Sequence, residues 1–345
     1  MKHRIPAAAA SLLMLMTAGC GKKQEPPDTL HSADIFAMDT YMSLKAYGAG
    51  GEAAVSEAQE RIAALEQTLS VTDPQSDLWA VNHAGGAAVN VSQDTACILD
   101  MAEQVSAESG GALCISLYPV LQAWGFTTGS YQVPSGEKLS ALLPLADDSR
   151  IARNGTELRI PDEMQLDLGA LAKGYTSDSV IGIMQAHGVS SAIVSLGGNV
   201  QALGKKPDGS LWRVGITDPR QPEVNLGVVE IENKAVITSG NYERYFTDDA
   251  GNRYWHILDP ADGRPADNGL ISVTVIGESG LRCDALSTAL YVEGIEKAQE
   301  HWRRCNDFEM ILVTDTGRLL VTEGIADHFT NGSNLSAEVL KREET

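Results

Sequence analysis

Basic residues are in short supply. Lys and Arg number 26 against 46 Asp and Glu, a net charge of -20 at neutral pH over 345 residues. That balance argues against DNA or RNA binding through phosphate neutralisation. An anionic ligand has to be received by a metal, a local lysine or backbone N–H groups. Cysteine is sparse, at five. Cys97, Cys114, Cys283 and Cys305 have spacings that match no metal or disulfide framework, although an exported protein could pair them. Cys97 falls in a helical pattern and Cys283 directly precedes one, so both read as small buried residues. Beyond the first twenty residues no segment is apolar enough for a transmembrane helix. Internal repeats and low-complexity tracts are absent, and there is no Walker A loop or GxGxxG. What remains is an ordinary soluble globular composition, 43% hydrophobic and 21% charged, long enough for one large domain or two intimate ones.

The first twenty residues read as a targeting segment. Lys2, His3 and Arg4 form a basic end, and residues 5–18 a short apolar core. Thr17-Ala18-Gly19-Cys20 resembles a lipobox, in which the cysteine is diacylated; the alternative is a plain secretory signal cleaved near Ala18. The expectation is a membrane lipid anchor through Cys20, extracytoplasmic, on the periplasmic or outer face. Residues 21–31 are polar and proline-bearing and read as a flexible tether. They lead to a domain over 32–335 and a polar tail over 336–345.

Alternation over 34–47 predicts a first strand with Met38-Asp39-Thr40 in its middle. Val55, Ala58, Ile62, Leu65 and Leu69 recur at helical spacing and predict a helix over 52–70. Ile98, Met101, Ala102 and Val105 predict another over 93–109, capped by Gly110-Gly111. Residues 112–126 read as a buried turn into a short helix, and Ser135 as the N-cap of a helix within 132–145. Asn154-Gly155 marks a hairpin over 150–161. A strand ending at Leu168-Gly169 leads into a helix reaching about His187. Strands follow at 190–196, 212–217 and 270–276, with residues 227–238 leading into the strand-like start of 236–266, then a helix from Asp284 to about Arg304 and a hairpin of 308–314 with 318–321. Residues 331–345 are expected to fray. Strands outnumber long helices and several connections are hairpins. That favours an α+β fold with a mostly antiparallel sheet and flanking helices over a Rossmann fold.

Three glycine-rich points follow predicted strands: Asp167-Leu168-Gly169-Ala170, Leu196-Gly197-Gly198-Asn199 and Ser239-Gly240. Glycine lets backbone approach a ligand, and a helix N-terminus offers N–H groups to phosphate. Lys173, in the first turn of that helix, either adds a charge there or belongs to a solvated face. Asp284 and Thr288 are four apart and share a helix face, with Ser287 beside them. Their oxygens suit Mg²⁺ better than Zn²⁺; an aspartate near a helix N-terminus also fits the same pattern through the dipole. In 236–266 an aromatic and charged alternation, Tyr242 to Phe246, and a turn at 249–252 predict a hairpin whose second arm carries His256. That histidine is either a general base on a rigid element or a strand histidine satisfied by a carbonyl.

Together these pieces resemble the ApbE-like FAD:protein FMN transferases, exported bacterial flavin-transferring enzymes. The matching residues are Met38-Asp39-Thr40, Leu69-Ser70, Trp124-Gly125-Phe126, Asp167 through Tyr175 with Asp178, Ser195 through Asn199, Thr238 through Arg244, His256 through Pro260, and Asp284 through Ala289. They occur in the family's order. The resemblance implies two intimate lobes with FAD, the substrate, in the cleft between them. It implies Mg²⁺ held by the Ala170 carbonyl and by Asp284 and Thr288, with Ser287 among the metal-site residues. A flavin nucleotide site would be lined by Met38, Thr72, Ala112, Leu113, Cys114, Asp167, Lys173 and the main chain near Leu258. His256 falls on the family's catalytic histidine. The implied reaction joins FMN to a Ser or Thr hydroxyl and releases AMP. The acceptor would be an exported flavoprotein with a Ser/Thr-Gly-Ala-Ser/Thr type motif, which this chain lacks. Alternatives on the same site are an FAD pyrophosphatase giving FMN and AMP, or a non-catalytic flavin-binding lipoprotein. The chain departs from the family at Asp39 (usually Gly), Asn241 and Cys114 (commonly Asp) and Thr72 (often Tyr).

Overall fold

The computed structural model describes residues 25–342, so the leader and Cys20 lie outside the described residues. Nine strands form the main sheet. Their spatial order begins Leu30–Ala37, Thr40–Tyr47, Ala192–Leu196, Asn199–Leu203 and Ala235–Gly240, and continues with Leu270–Gly277, Phe308–Thr314, Leu319–Thr322 and Ala337–Leu340. Every neighbouring pair is antiparallel except the last, which is parallel. The central strands are apolar on both faces, and the two-residue period of a strand sorts them. Ala235, Ile237, Val273, Val275, Met310 and Leu312 face the helices. Val236, Ile276, Ile311 and Val313 face a smaller sheet made by Trp212–Asp218, Gln221–Ile231 and Phe329–Asn331. The architecture is α+β and mostly antiparallel.

Three helices cover the first face. Gly51–Leu69 lays Ala54, Val55, Ala58 and Ile62 into one core. Gly169–Ala186 and Gly280–Arg304 cross closely because Gly174 has no side chain. A Cβ there would collide with the Gly280 carbonyl oxygen and sit 2.6 Å from Asp284 Cβ. The Gly280–Arg304 helix is broken at Gly294, whose φ of 78° an L side chain rarely adopts. The Asn268 amide fills the break, donating to the carbonyls of Tyr291 (2.7 Å) and Val292 (3.0 Å). Among the described residues no helix is long and apolar enough to cross a membrane, and Cys97, Cys114, Cys283 and Cys305 are all free.

Several expectations are corrected. The stretch 34–47 is not one strand: a two-residue turn at Met38-Asp39 splits it, with Ala37 paired to Thr40. No strand precedes Gly169; residues 164–168 are irregular and tied down by Asn82, whose side chain accepts from Leu166 N–H (2.7 Å) and donates to its carbonyl (2.9 Å). The tether boundary at residue 31 falls inside the first strand, which starts at Leu30. The polar tail is ordered in part, since Ala337–Leu340 adds an edge strand through backbone bonds that polar side chains do not forbid. Gly174→Ala is expected to lower stability by about 1–3 kcal/mol through overpacking, read as a reduced urea midpoint; an unchanged midpoint contradicts the tight crossing.

Candidate active site

One carboxylate brings the helix start to the sheet. Asp178 accepts from Ser279 Oγ (2.8 Å), Gly280 N–H (2.7 Å), Leu281 N–H (3.0 Å) and the Gln201 amide (2.8 Å). These satisfy otherwise orphaned N–H groups at the start of the Gly280–Arg304 helix. One turn later Asp284 points into a cleft of about 1270 Å³. The cleft is bounded by the start of Gly169–Ala186, the end of Ala235–Gly240 and the Met38-Asp39 turn.

Asp284 is buried, and desolvation raises its pKa against the pull of Lys173. Its Oδ2 accepts from Gly174 N–H (2.7 Å), the amide that in a regular helix points at the Ala170 carbonyl. Ala170 and Thr288 line the same cleft, and Ser239 Oγ lies 3.5 Å from Thr288 Oγ1. Ser287 does not join them on the cleft wall. It is fully buried, donates to the Asp284 carbonyl (2.8 Å) and receives Ser239 Oγ at 2.8 Å. Of the expected metal group, Ala170, Asp284 and Thr288 line the cleft together, and Ser287 lies directly behind them, linked through Ser239. Their donors are all oxygen, and the buried carboxylate calls for a countercharge. The set fits a hard divalent cation such as Mg²⁺.

The nucleotide-site residues also converge. Met38, Thr72, Asp167, Lys173 and Leu258 line the cleft, as do Ala112, Leu113 and Cys114. Asp167 takes Gly169 N–H on Oδ1 (2.9 Å), and burial raises its pKa despite Arg244 and Lys173. The loop after Cys114 is gripped from behind by Asp148, which accepts from the N–H groups of Ile115 (2.9 Å) and Ser116 (3.0 Å) and from Ser116 Oγ (2.6 Å). Burial and then Asp148 push the Cys114 thiol up to about 12, so it is no thiolate nucleophile. At the opposite wall Met38 and Asp39 hold φ of 49° and 57°. That is a twist-matched two-residue hairpin turn, which aspartate tolerates. Glu66 clamps it by accepting Met38 N–H (2.6 Å).

His256 stands at the foot of the hairpin Tyr245–Thr247 and Arg253–Trp255. The hairpin is outside the main sheet, and an aromatic stack steadies it: Phe246 lies on Tyr131 and Tyr254, each at 5.2 Å between ring centres. Phe126 meets the His256 ring edge-on. A carbonyl only accepts, so His256 Nδ1–H donates to the Arg244 carbonyl (3.2 Å) and Nε2 keeps its lone pair. Desolvation, followed by the Arg244 charge, lowers its pKa to about 4. The strand-histidine and base readings are therefore compatible, because the carbonyl satisfies one nitrogen and leaves the other. Glu243 shares the cleft, and desolvation lifts it to about 7. Glu66 escaped the sequence reading, while Glu243 and Arg244 fell within the matched stretch Thr238–Arg244 without a role of their own. Glu66 looks like any charge on an amphipathic helix; the Tyr242–Phe246 alternation held the signal for the other two.

Residues 38–312 match the sequence profile of the ApbE family. An FAD:protein FMN transferase of Klebsiella pneumoniae (strain 342) is 32% identical over 298 residues, covering 85% of this chain and 92% of that protein. The solved ApbE protein of Thermotoga maritima superposes with a TM-score of 0.81 at 27% identity, over 86% of this chain and 98% of that one. The flavinyl transferase ApbE of Pseudomonas stutzeri, in its apo form, gives 0.77 at 32% identity, over 88% and 99%. For the cleft itself, NMR titration of the His256 ring is expected to show a midpoint near 4, with the neutral form above it. A midpoint at the ordinary value of about 6.5 contradicts the burial described.

Proposed function

The chain belongs to the ApbE family, and on that premise we propose that it is an Mg²⁺-dependent FAD:protein FMN transferase. It joins the FMN part of FAD by a phosphoester to a Ser or Thr hydroxyl of an exported flavoprotein and releases AMP. The observation that carries this reading is His256, kept neutral by desolvation at the cleft wall with Nε2 free, in one cleft with Asp284 and Thr288.

Lys173, Arg244 and the helix N-terminus at Gly169 receive the pyrophosphate of FAD, giving an acidic chain a local site for an anion. Ala170, Asp284 and Thr288 would hold Mg²⁺, which would supply neutralising charge at the phosphoryl oxygens. The acceptor hydroxyl gives its proton to His256 Nε2. Its oxygen forms a bond to the phosphorus next to riboflavin, while the anhydride bond to the AMP phosphate breaks. The Arg244 carbonyl steadies the imidazolium that results, through Nδ1–H. The acceptor carries a Ser/Thr-Gly-Ala-Ser/Thr type motif, and the open face of the cleft beside Tyr131 and Phe246 is where a protein segment reaches His256.

Purified protein incubated with FAD, Mg²⁺ and such an acceptor is expected to label the acceptor with covalent flavin fluorescence. Release of free FMN and AMP without labelling would establish hydrolysis instead, and unchanged FAD would leave only binding. His256→Ala should lose about 10²–10⁴-fold in transfer rate while still binding FAD; normal labelling refutes its role as base. Asp284→Ala should raise the Mg²⁺ requirement, and activity indifferent to both this change and chelation refutes the metal assignment.

Cys20 is the proposed lipid attachment point, placing the domain on the extracytoplasmic face of the membrane. Mass spectrometry should find a diacylated N-terminal Cys20, and Cys20→Ala should leave the membrane fraction. An unmodified Cys20 in membrane-bound protein overturns this part.

A further inference from the structure

Away from the cleft, the last turn of Gly280–Arg304 meets the end of the Gln93–Glu108 helix. Cys305 N–H donates to the His301 carbonyl (3.1 Å), so the two residues stand one turn apart on one face. Glu108 reaches them from the other helix. One nitrogen of His301, the Cys305 sulfur and a Glu108 oxygen all lie within 4.8 Å of one another.

The hydrogen bonds around this group do not close. His301 is 0% exposed, yet its Nε2 has no hydrogen-bond partner, and neither does Glu108 Oε2, 3.7 Å away. Nδ1 is engaged, 3.1 Å from both oxygens of Glu293, itself almost wholly buried. A carboxylate accepts, so Nδ1 carries the proton and the Nε2 lone pair faces the lone pairs of Glu108. Two buried acceptors facing each other are costly unless a positive centre lies between them. A proton on Nε2 serves poorly, because 3.7 Å is too long for a hydrogen bond. The Arg282 guanidinium is shared between Asp307 and Glu108, with Nη1 in an ion pair 3.0 Å from Glu108 Oε2, so it offsets charge on that carboxylate but brings no donor to His301 Nε2. A buried carboxylate holding one imidazole nitrogen is the arrangement that orients the other toward a metal.

We infer that Glu108, His301 and Cys305 bind one zinc ion. Nitrogen, sulfur and carboxylate are its usual donors, a water completes the tetrahedron, and the thiol proton leaves to solvent. Closing the ligands to bonding distance takes a contraction of roughly 1 Å. The ion ties the ends of two helices and stands apart from the oxygen-only Asp284 group. His301 and Cys305 are four apart, but Glu108 is too distant in the sequence for a spacing motif to reveal the full set.

The test uses the full chain, stripped of metal and kept in excess Mg²⁺. Titrated Co²⁺ should produce a thiolate-to-cobalt charge-transfer band saturating at one equivalent, which Zn²⁺ then abolishes. Cys305→Ser should remove the band. Glu108→Gln should weaken binding at least about tenfold, and Glu293→Gln, which acts only through His301, about 10- to 100-fold. In the unsubstituted protein, which does not depend on any variant folding, Zn²⁺ should protect Cys305 from alkylation, mapped by peptide mass. No band, a band that survives Cys305→Ser, or equal alkylation with and without Zn²⁺ overturns the inference.

Discussion

The Asp178 carboxylate is the constraint on which the site depends. A helix that starts inside a protein leaves N–H groups without partners. Here a side chain from a second helix takes two of them, together with the Ser279 hydroxyl and the Gln201 amide of a sheet strand. Three elements are registered at one point, and Asp284 follows one turn later. The Gly174 crossing then sets how near the two helices come. Ala170 and Asp284, from separate helices, therefore line one cleft because of a capping group and an absent side chain.

Charge is managed locally rather than globally. A chain of net charge -20 repels phosphate at long range. Inside the cleft, Lys173 acts on Asp167, Glu243 and Asp284 together and helps keep His256 neutral. Removing it would leave three carboxylates facing one another. The same lysine that reads in isolation as a solvated helix residue thus offsets the acids that surround it.

What could be read in advance follows from how local each signal is. The Val55–Leu69 stripe, the Ser135 cap and the 249–252 turn depend on neighbours in the chain, and they appear as expected. The Asn154-Gly155 signal was right to within a residue, the two-residue loop being Gly155-Thr156. The Met38-Asp39 turn was hidden because Met38 does not advertise a positive φ; Glu66, from a distant helix, helps hold it there. Gln221–Ile231 was obscured by its polar beginning, and Ala337–Leu340 joins the sheet through backbone alone. The cleft residues were legible through family resemblance. Ser287 sits behind the cleft wall because neighbouring positions on a helix point in different directions.

The break at Gly294 has a mechanical meaning. A continuous helix conducts a shift at one end to the other, since each turn is hydrogen-bonded to the next. Here the ladder is interrupted, and the Asn268 amide takes over the freed carbonyls. The reactive end with Asp284 and the peripheral end with His301 are two short rods on a joint. The segment carrying Asp284 and the segment carrying His301 are thus tied across Gly294 by the Asn268 side chain instead of by an unbroken helical ladder.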